Sequence, residues 1–445
     1  MDQEVNIIGA GFAGSEAAWQ LANRGIKVNL YDMKPIKMSS AHQSENFAEV
    51  VCSNSLGSQT EGNASALIKQ ELKILNSLVM EAAEFTKVPA GGALAVDRDK
   101  FSQYVTDKIS SHNMITVHRE EVTEIDINKV TIIATGPLTS KGLSESITKI
   151  TGEEYFHFFD AAAPIVEYDS LDFNIIFKQS RYDKGDGFYL NCPFDKEQYQ
   201  NFWDELTKAE LAPVKDFDEY ETNKNFFEGC MPIEVLAKRG IDTPRFGPLK
   251  PVGLTDPRTG GRAYAVVQLR QDNAAASLYN LVGFQTQLKW GEQKRVFRMI
   301  PGLENAEFVR FGVMHRNAYI NSPKLLNANM QLRKHPNIFI AGLLTGVEGY
   351  IESCAMGALA GINAYLHLQN REALVFPKTT MMGALSRYVS NPEITTNFQP
   401  INSNWGIMQE LDEKIRDKKQ RNIVYTQRGV KDFELIANSS LYAIN

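Results

Sequence analysis

The stretch Asn6-Ile-Ile-Gly-Ala-Gly-Phe-Ala-Gly (to Gly14) decides the fold, because a short apolar strand runs straight into a Gly-x-Gly-x-x-Gly turn. An alanine-rich helical stretch follows from Ser15 to Asn23, and Gly25 ends it. A second apolar run, Ile26 to Tyr31, then delivers Asp32. Strand, glycine turn, helix, strand and acid in that order make a dinucleotide-binding βαβ unit. Gly9 makes the tight turn, Gly11 lets the backbone approach a pyrophosphate, and Gly14 lets helix and strand pack closely. The free N–H groups at the helix start, around Ala10, Phe12 and Ala13, face the phosphates, and Asp32 accepts from a ribose hydroxyl.

Composition narrows the class. At 445 residues, 43% apolar and 22% charged, the chain matches a globular protein of about two to three domains. No run approaches the roughly 18 apolar residues of a membrane span, so no membrane partner is expected. The start, Met-Asp-Gln-Glu, lacks a positive region, and its apolar run reads as a strand and not a signal peptide. The cysteines Cys52, Cys192, Cys230 and Cys354 are too scattered for a disulfide scaffold or a Cys-x-x-Cys metal site. Reduced thiols, a cytoplasmic location and no metal are the expectation. A net charge of −6 argues against blanket nucleic-acid binding, so such a partner would use local basic patches.

Further along, Leu67, Ile68, Leu72, Leu75, Leu78, Val79 and Ala82 fall at helical spacing and predict one amphipathic helix. Asp97 caps a helix running through Phe101 to Ile109. Thr116–His118 and Val122–Ile127 read as strands, as does Val130 to Pro137, whose Ala-Thr-Gly ending puts Gly136 where the chain leaves the sheet. Between Ala161 and Phe311 the character changes, with period-2 runs at Ala263–Leu269 and Leu281–Gln287. A strand at Asn337 to Gly342, a glycine loop at Leu344 to Ser353 and a small-residue helix at Cys354 to Leu366 repeat the opening pattern. They add Gly342, Thr345 and Gly346 to the cofactor-binding candidates. The expected architecture is α/β: a two-lobed FAD-binding flavoprotein fold, Rossmann-like and of the glutathione-reductase type, with an α+β insertion domain. Residues 1–160 and 312–445 form the FAD-binding domain, and 161–311 the insertion that contacts substrate.

Among the thiols, Cys192 and Cys354 read as small buried hydrophobes. Cys230 stands in Phe-Phe-Glu-Gly-Cys-Met-Pro-Ile-Glu (Phe226 to Glu234). Pro232 takes Met231 out of helical geometry and begins a helix that Gly240 stops, so Cys230 lies just ahead of a helix N-terminus, where the dipole favours a thiolate. Cys52 precedes the capping residues Ser53, Asn54 and Ser55.

These motifs together resemble the folate- and flavin-dependent uracil-5-methyltransferases that modify RNA. The resemblance covers essentially the whole chain. It rests on Gly9–Gly14, Val51–Leu56, Val88–Arg98, Asp160–Val166, Ser180–Gly185, Phe227–Glu234, Lys250–Leu254, Tyr264–Asp272, Phe311–Asn317 and Thr345–Tyr350. It implies that Cys230 attacks carbon 6 of uracil and that Cys52 takes the proton from carbon 5. It also implies FAD as cofactor, methylenetetrahydrofolate as one-carbon donor and NADH or NADPH as reductant. The expected substrate is the tRNA T-loop uridine, with a uridine of 23S rRNA as the alternative. Two positions depart from the family: Gly57 stands where arginine is usual, and Leu343 follows Gly342 where glutamine is usual. The RNA-binding candidates are Lys238, Arg239, Arg245 and Lys250 after the Cys230 motif, and Lys418 and Lys419 within the basic stretch Lys414 to Arg421. His315 and Tyr350 could stack on folate or flavin, or simply pack. The rival classes are a small-molecule flavin oxidoreductase with structural cysteines, and an assembly subunit akin to the wobble-uridine enzymes.

Overall fold

The structure is a computed structural model that describes residues 3–183, 188–213, 231–396 and 398–439, with backbone alone at 158–161, 315 and 316. Its first sheet grows from the opening motif. The strand Glu4–Ile8 is central, with Lys27–Tyr31 and then Ile115–His118 on one side, and Thr131–Ile133 and then Ile338–Ile340 on the other. All these pairings are parallel, with Val5 opposite Val28 and Ile7 opposite Leu30. Parallel strands need covering on both faces, and Val5, Ile7, Val28, Leu30, Ile132 and Phe339 in them are all buried. Their carboxyl ends lead to Gly9, Asp32, Ala134 and Gly342, which line one crevice, the usual ligand position in open α/β sheets.

Two helices cover that crevice from below, Phe12–Ala22 and Tyr350–Leu368. The second starts earlier than Cys354 because Gly349 turns the chain at φ +115. Its small residues let the helices touch at the backbone. A Cβ on Gly357 would stand 2.1 Å from the Ala13 carbonyl oxygen, and one on Gly361 2.8 Å from that of Ala17.

The strands between Ile165 and Arg310 build a second, antiparallel sheet. Its order is Phe177–Gln179, Tyr189–Phe194, Ala265–Gln271, Leu278–Leu281, Ile165–Glu167, Phe308–Arg310. A separate core fills it, including Leu190, Val267, Leu269 and Leu281. Phe156–Ala161 and Met314–Tyr319 pair with each other and carry the chain into and out of this region.

Three local expectations give way. The single helix over Leu67 to Ala82 is two, Ala64–Ile74 and Leu78–Phe85. Asn76 takes a left-handed φ of +54, and the Ser77 side chain caps the second helix by accepting from Met80 N–H. Val122–Ile127 forms no strand. Val122 and Ile125 pack instead beside the helix Lys141–Thr151, where the Ile125 N–H donates to Ser146 Oγ. The strand expected over Leu281–Gln287 stops at Leu281, because Gly283 turns the chain at φ +77 against Pro248.

Candidate active site

The cleft at the strand ends encloses about 1490 Å³, open solvent at its mouth included. Gly9, Ala10, Gly11, Phe12 and Ala13 form its floor, and Asp32, Gly136 and Gly342 line its walls. Gly11 caps the helix Phe12–Ala22 with no side chain over the first turn, and a Cβ built on it meets nothing within 4 Å. The helix N–H groups therefore stay open to an anion. Asp32 is set rigidly: Oδ2 accepts the Ala10 N–H at 3.0 Å and Oδ1 the Lys34 N–H at 2.9 Å. Each oxygen keeps a lone pair for a ribose hydroxyl. These residues fit FAD: the turn at Gly11 would hold its pyrophosphate and Asp32 a ribose hydroxyl.

Three of the glycine-motif candidates do not line the cleft. Gly14 packs behind the turn, where a Cβ would fall 1.7 Å from the Gly9 carbonyl oxygen. Thr345 is fully buried, and its hydroxyl donates to the Gly342 carbonyl at 2.8 Å. Gly346 adopts φ +83 against the Phe398 ring. Thr345 and Gly346 thus shape the loop that presents Gly342, which corrects their reading as direct contacts.

At the other end of the cleft lies Cys52, a half-buried thiol in no disulfide. Its N–H donates to the Tyr350 hydroxyl oxygen at 2.9 Å, and its sulfur lies 3.0 Å from the same oxygen. Burial first, then the neighbouring Cys52, hold Tyr350 well above the usual phenol range. The phenol therefore keeps its proton and can donate it to the sulfur. The Tyr350 ring also stacks on Phe12 at 4.6 Å, joining the thiol to the glycine turn.

The loop bearing Cys52 is held from the antiparallel sheet and from the start of the helix Arg98–Ser111. Arg98, opening the helix Arg98–Ser111 behind the Asp97 cap, donates to the Val50 carbonyl and to Asp272 Oδ2, the latter at 2.8 Å. Arg270 donates to Asn54 Oδ1 at 2.9 Å and Ser53 Oγ at 2.5 Å. Asn54 in turn donates to the carbonyls of Val96 and Gln271, both at 2.9 Å. Sequence reading missed Arg98, Arg270 and Asp272 as supports. Only Arg270 carried a signal, a charge inside the apolar run Val-Val-Gln-Leu-Arg.

Gly57, the departure from the family pattern, has a structural reason. It sits at φ +82, and a Cβ there would meet Ser65 Oγ at 2.5 Å and Lys69 Nζ at 3.4 Å. Lys69 fills that space, donating to Ser58 O, Ser65 O and Ser65 Oγ, and burial lowers its pKa to about 8.

Cys230 lies outside the described residues. The helix after it, Ile233–Lys238, begins at Pro232 and is fixed by buried Glu234, which accepts from Thr286 Oγ1 at 2.9 Å and the Gln287 N–H at 2.7 Å. Of the basic candidates, Lys238, Arg239 and Lys250 are exposed. Arg245 is engaged within the chain, 3.6 Å over the Tyr264 ring and paired with Asp242. Lys418 and Lys419 are exposed and open the helix Lys418–Ala437, which packs on Ala64–Ile74 in the other region of the molecule. The side chain of His315 lies outside the described residues. Among the described residues no cluster of His, Cys, Asp or Glu could hold a metal, and no helix is long and apolar enough to cross a membrane.

Comparisons with known proteins bear on this geometry. A family model described as glucose inhibited division protein A matches residues 4–372. The methylenetetrahydrofolate–tRNA-(uracil-5-)-methyltransferase TrmFO of Acetivibrio thermocellus is 59% identical over 96% of this chain and 97% of its own length. Proteins of the same name from Listeria monocytogenes and Enterococcus faecalis are 56% identical over 98% of this chain and 55% over 99%, covering 99% and 98% of their own lengths. Among solved structures, Aquifex aeolicus GidA (form II crystal) is alike in fold, with a TM-score of 0.68 over 100% of this chain and 76% of that one at 15% identity. With a family match over most of its length and more than half its residues shared with these enzymes nearly end to end, the chain belongs to the GidA family and, within it, to the methylenetetrahydrofolate–tRNA-(uracil-5-)-methyltransferases.

Proposed function

We propose that the protein methylates carbon 5 of a uridine in tRNA, the T-loop uridine, in the cytoplasm. Methylenetetrahydrofolate is the one-carbon donor, FAD the resident cofactor and NADH or NADPH the reductant. The observation that carries the reading is a half-exposed thiol, Cys52, at one end of a cleft whose floor is a dinucleotide-binding glycine turn. Bound FAD supplies the electron chemistry that turns a methylene unit into a methyl group, which side chains alone do not provide.

The chain's own residues supply the rest. Carbon 5 of uracil is a poor nucleophile until a thiolate adds to carbon 6, and that is the role of Cys230. The proton on carbon 5 must then leave, and Cys52 accepts it. A thiolate at Cys52 is favoured by the Tyr350 hydroxyl at 3.0 Å and by the nearby Arg98 guanidinium. The names of the relatives favour tRNA over rRNA as the substrate.

Labelled methylenetetrahydrofolate, a nicotinamide reductant and the holoenzyme, incubated with bulk RNA from a host lacking the enzyme, test this. Label is expected in a tRNA T-loop uridine, and a covalent RNA adduct is expected with the native protein but not with Cys230→Ala that retains FAD. Label confined to ribosomal RNA would move the target. Reductant oxidation without label in RNA would point to a small-molecule oxidoreductase.

A further inference from the structure

Asn317 is buried, with 4% of its surface exposed, and it lines the cleft, so the little surface it keeps faces that space. Its carboxamide makes no hydrogen bond among the described residues. Other buried asparagines are satisfied by the chain itself. Asn54 donates to the Val96 carbonyl and Asn191 to the Phe177 carbonyl. Asn363 donates to the Leu359 and Leu374 carbonyls and accepts the Leu374 N–H. Water in the cleft can serve a group such as Asn317. A cofactor that fills the cleft displaces that water, and the amide is then left unpaired unless the cofactor bonds it.

The position of Asn317 is fixed by its strand. It stands opposite Phe158 in the paired strands Phe156–Ala161 and Met314–Tyr319, and the second of these packs on the turns Gly136–Leu138 and Gly342–Thr345. Both ends are pinned: the Ala162 N–H donates to the Val313 carbonyl at 2.8 Å, and the Ile320 N–H to the Leu344 carbonyl at 2.9 Å. In the parallel sheet, Lys27–Tyr31 leads to Asp32 on one side of the central strand, while the strands before Gly136 and Gly342 lie on the other. A dinucleotide with a ribose at Asp32 and its pyrophosphate at the glycine turn therefore sends its second half toward Gly136 and Gly342. Asn317 stands on that side, from which the chain runs on through Gly349 to Tyr350 and its contact with Cys52.

We propose that Asn317 is a cofactor-binding residue that bonds the lactam edge of the isoalloxazine, where a ring N–H stands beside a carbonyl. A carboxamide carries a donor and an acceptor side by side and matches that edge, whereas a phosphate oxygen only accepts. The inference rests on FAD being the resident cofactor.

The test compares native holoenzyme with Asn317→Ala and Asn317→Asp by the rate of FAD loss on dilution, the visible spectrum of the bound flavin and its reduction potential. Asn317→Ala is expected to lose FAD about three- to tenfold faster and to show a changed flavin spectrum. Asn317→Asp sets a carboxylate beside the ring, opposes electron uptake and should lower the potential below that of both native and Asn317→Ala. Faster FAD loss with the native spectrum and potential would put the contact on the ribityl or phosphate part and overturn the proposal. A raised KM for methylenetetrahydrofolate with native flavin properties, the sign of a pterin contact, would overturn it as well. So would variants indistinguishable from native, or the loss of all flavin from both, which is more than one hydrogen bond removes. Failure of the cofactor reading shows separately, as native protein without flavin absorbance.

Discussion

At the residue scale, the described thiols divide by environment. Cys192, inside the strand Tyr189–Phe194, is fully buried, and burial pushes its thiol far up. Cys354 is raised by burial and then by Glu16, which accepts from its sulfur at 3.5 Å. Cys52 faces the cleft instead, with a protonated phenol against its sulfur. A hydrogen bond to a charged group contributes about 1.5–3 kcal/mol. Tyr350→Phe is accordingly expected to retain FAD, slow methyl transfer by about ten- to a hundredfold, and move the pH midpoint of Cys52 alkylation upward. An alkylation profile identical to native would leave Tyr350 only its stacking on Phe12.

Elements are tied together by buried carboxyl groups that sequence patterns do not reveal. Glu71, on the helix Ala64–Ile74, caps a different helix, Met381–Tyr388, by accepting the N–H groups of Met381 and Met382 at 2.6 and 2.7 Å. Burial raises its pKa to about 8 from 4.5 despite these bonds. The folded state therefore binds a proton that the unfolded chain has released, so Glu71 makes the fold lose stability as pH climbs from about 4.5 to about 8. Glu71→Gln keeps one acceptor, cannot ionise, and should lower stability by about 1 kcal/mol near pH 5. Its melting temperature should then fall less than the native one between pH 5 and pH 8. Parallel melting curves for the two proteins across that range would contradict the assignment.

On the scale of the whole molecule, the antiparallel sheet meets the segment from Asn54 to Arg98, which carries a small sheet of Ser55–Ser58, Ala93–Val96 and Lys87–Val88, through polar bonds around the thiol loop. Arg98 reaches Asp272, Asn54 reaches Gln271, the Ala274 N–H donates to Asp97 at 2.8 Å, and the Tyr189 hydroxyl donates to the Ala90 carbonyl at 3.1 Å. Removing one partner of a buried ion pair costs about 3–5 kcal/mol, while replacing both by apolar residues is often neutral. Asp272→Asn should therefore lower urea stability by about that amount. The double variant Arg98→Met with Asp272→Met should recover most of the stability but not methyl transfer, because Cys52 loses its nearby positive charge. Full activity in the double variant would show that the pair only joins the helix Arg98–Ser111 to the antiparallel sheet.

What the amino-acid sequence determined by itself was local. The Gly9 turn at φ +98, the Asp97 cap and the helix start at Pro232 depend on neighbours within a few residues, and all three stand where the pattern puts them. Glycines announced where the backbone needs freedom, but not whether a ligand or the Phe398 ring requires it, so Thr345 and Gly346 were read as contacts. Val122–Ile127 and Leu281–Gln287 read as strands, yet beyond Leu281 neither forms one, since pairing is a property of the neighbour as well. Cys52 was legible in its motif. Its partners were not: Tyr350 lies 298 residues away, and Arg98 and Asp272 are 174 apart. Only the packing of the antiparallel sheet against the segment from Asn54 to Arg98 decides that these groups meet, because their interaction energy exists only after the chain has brought them within a few ångströms.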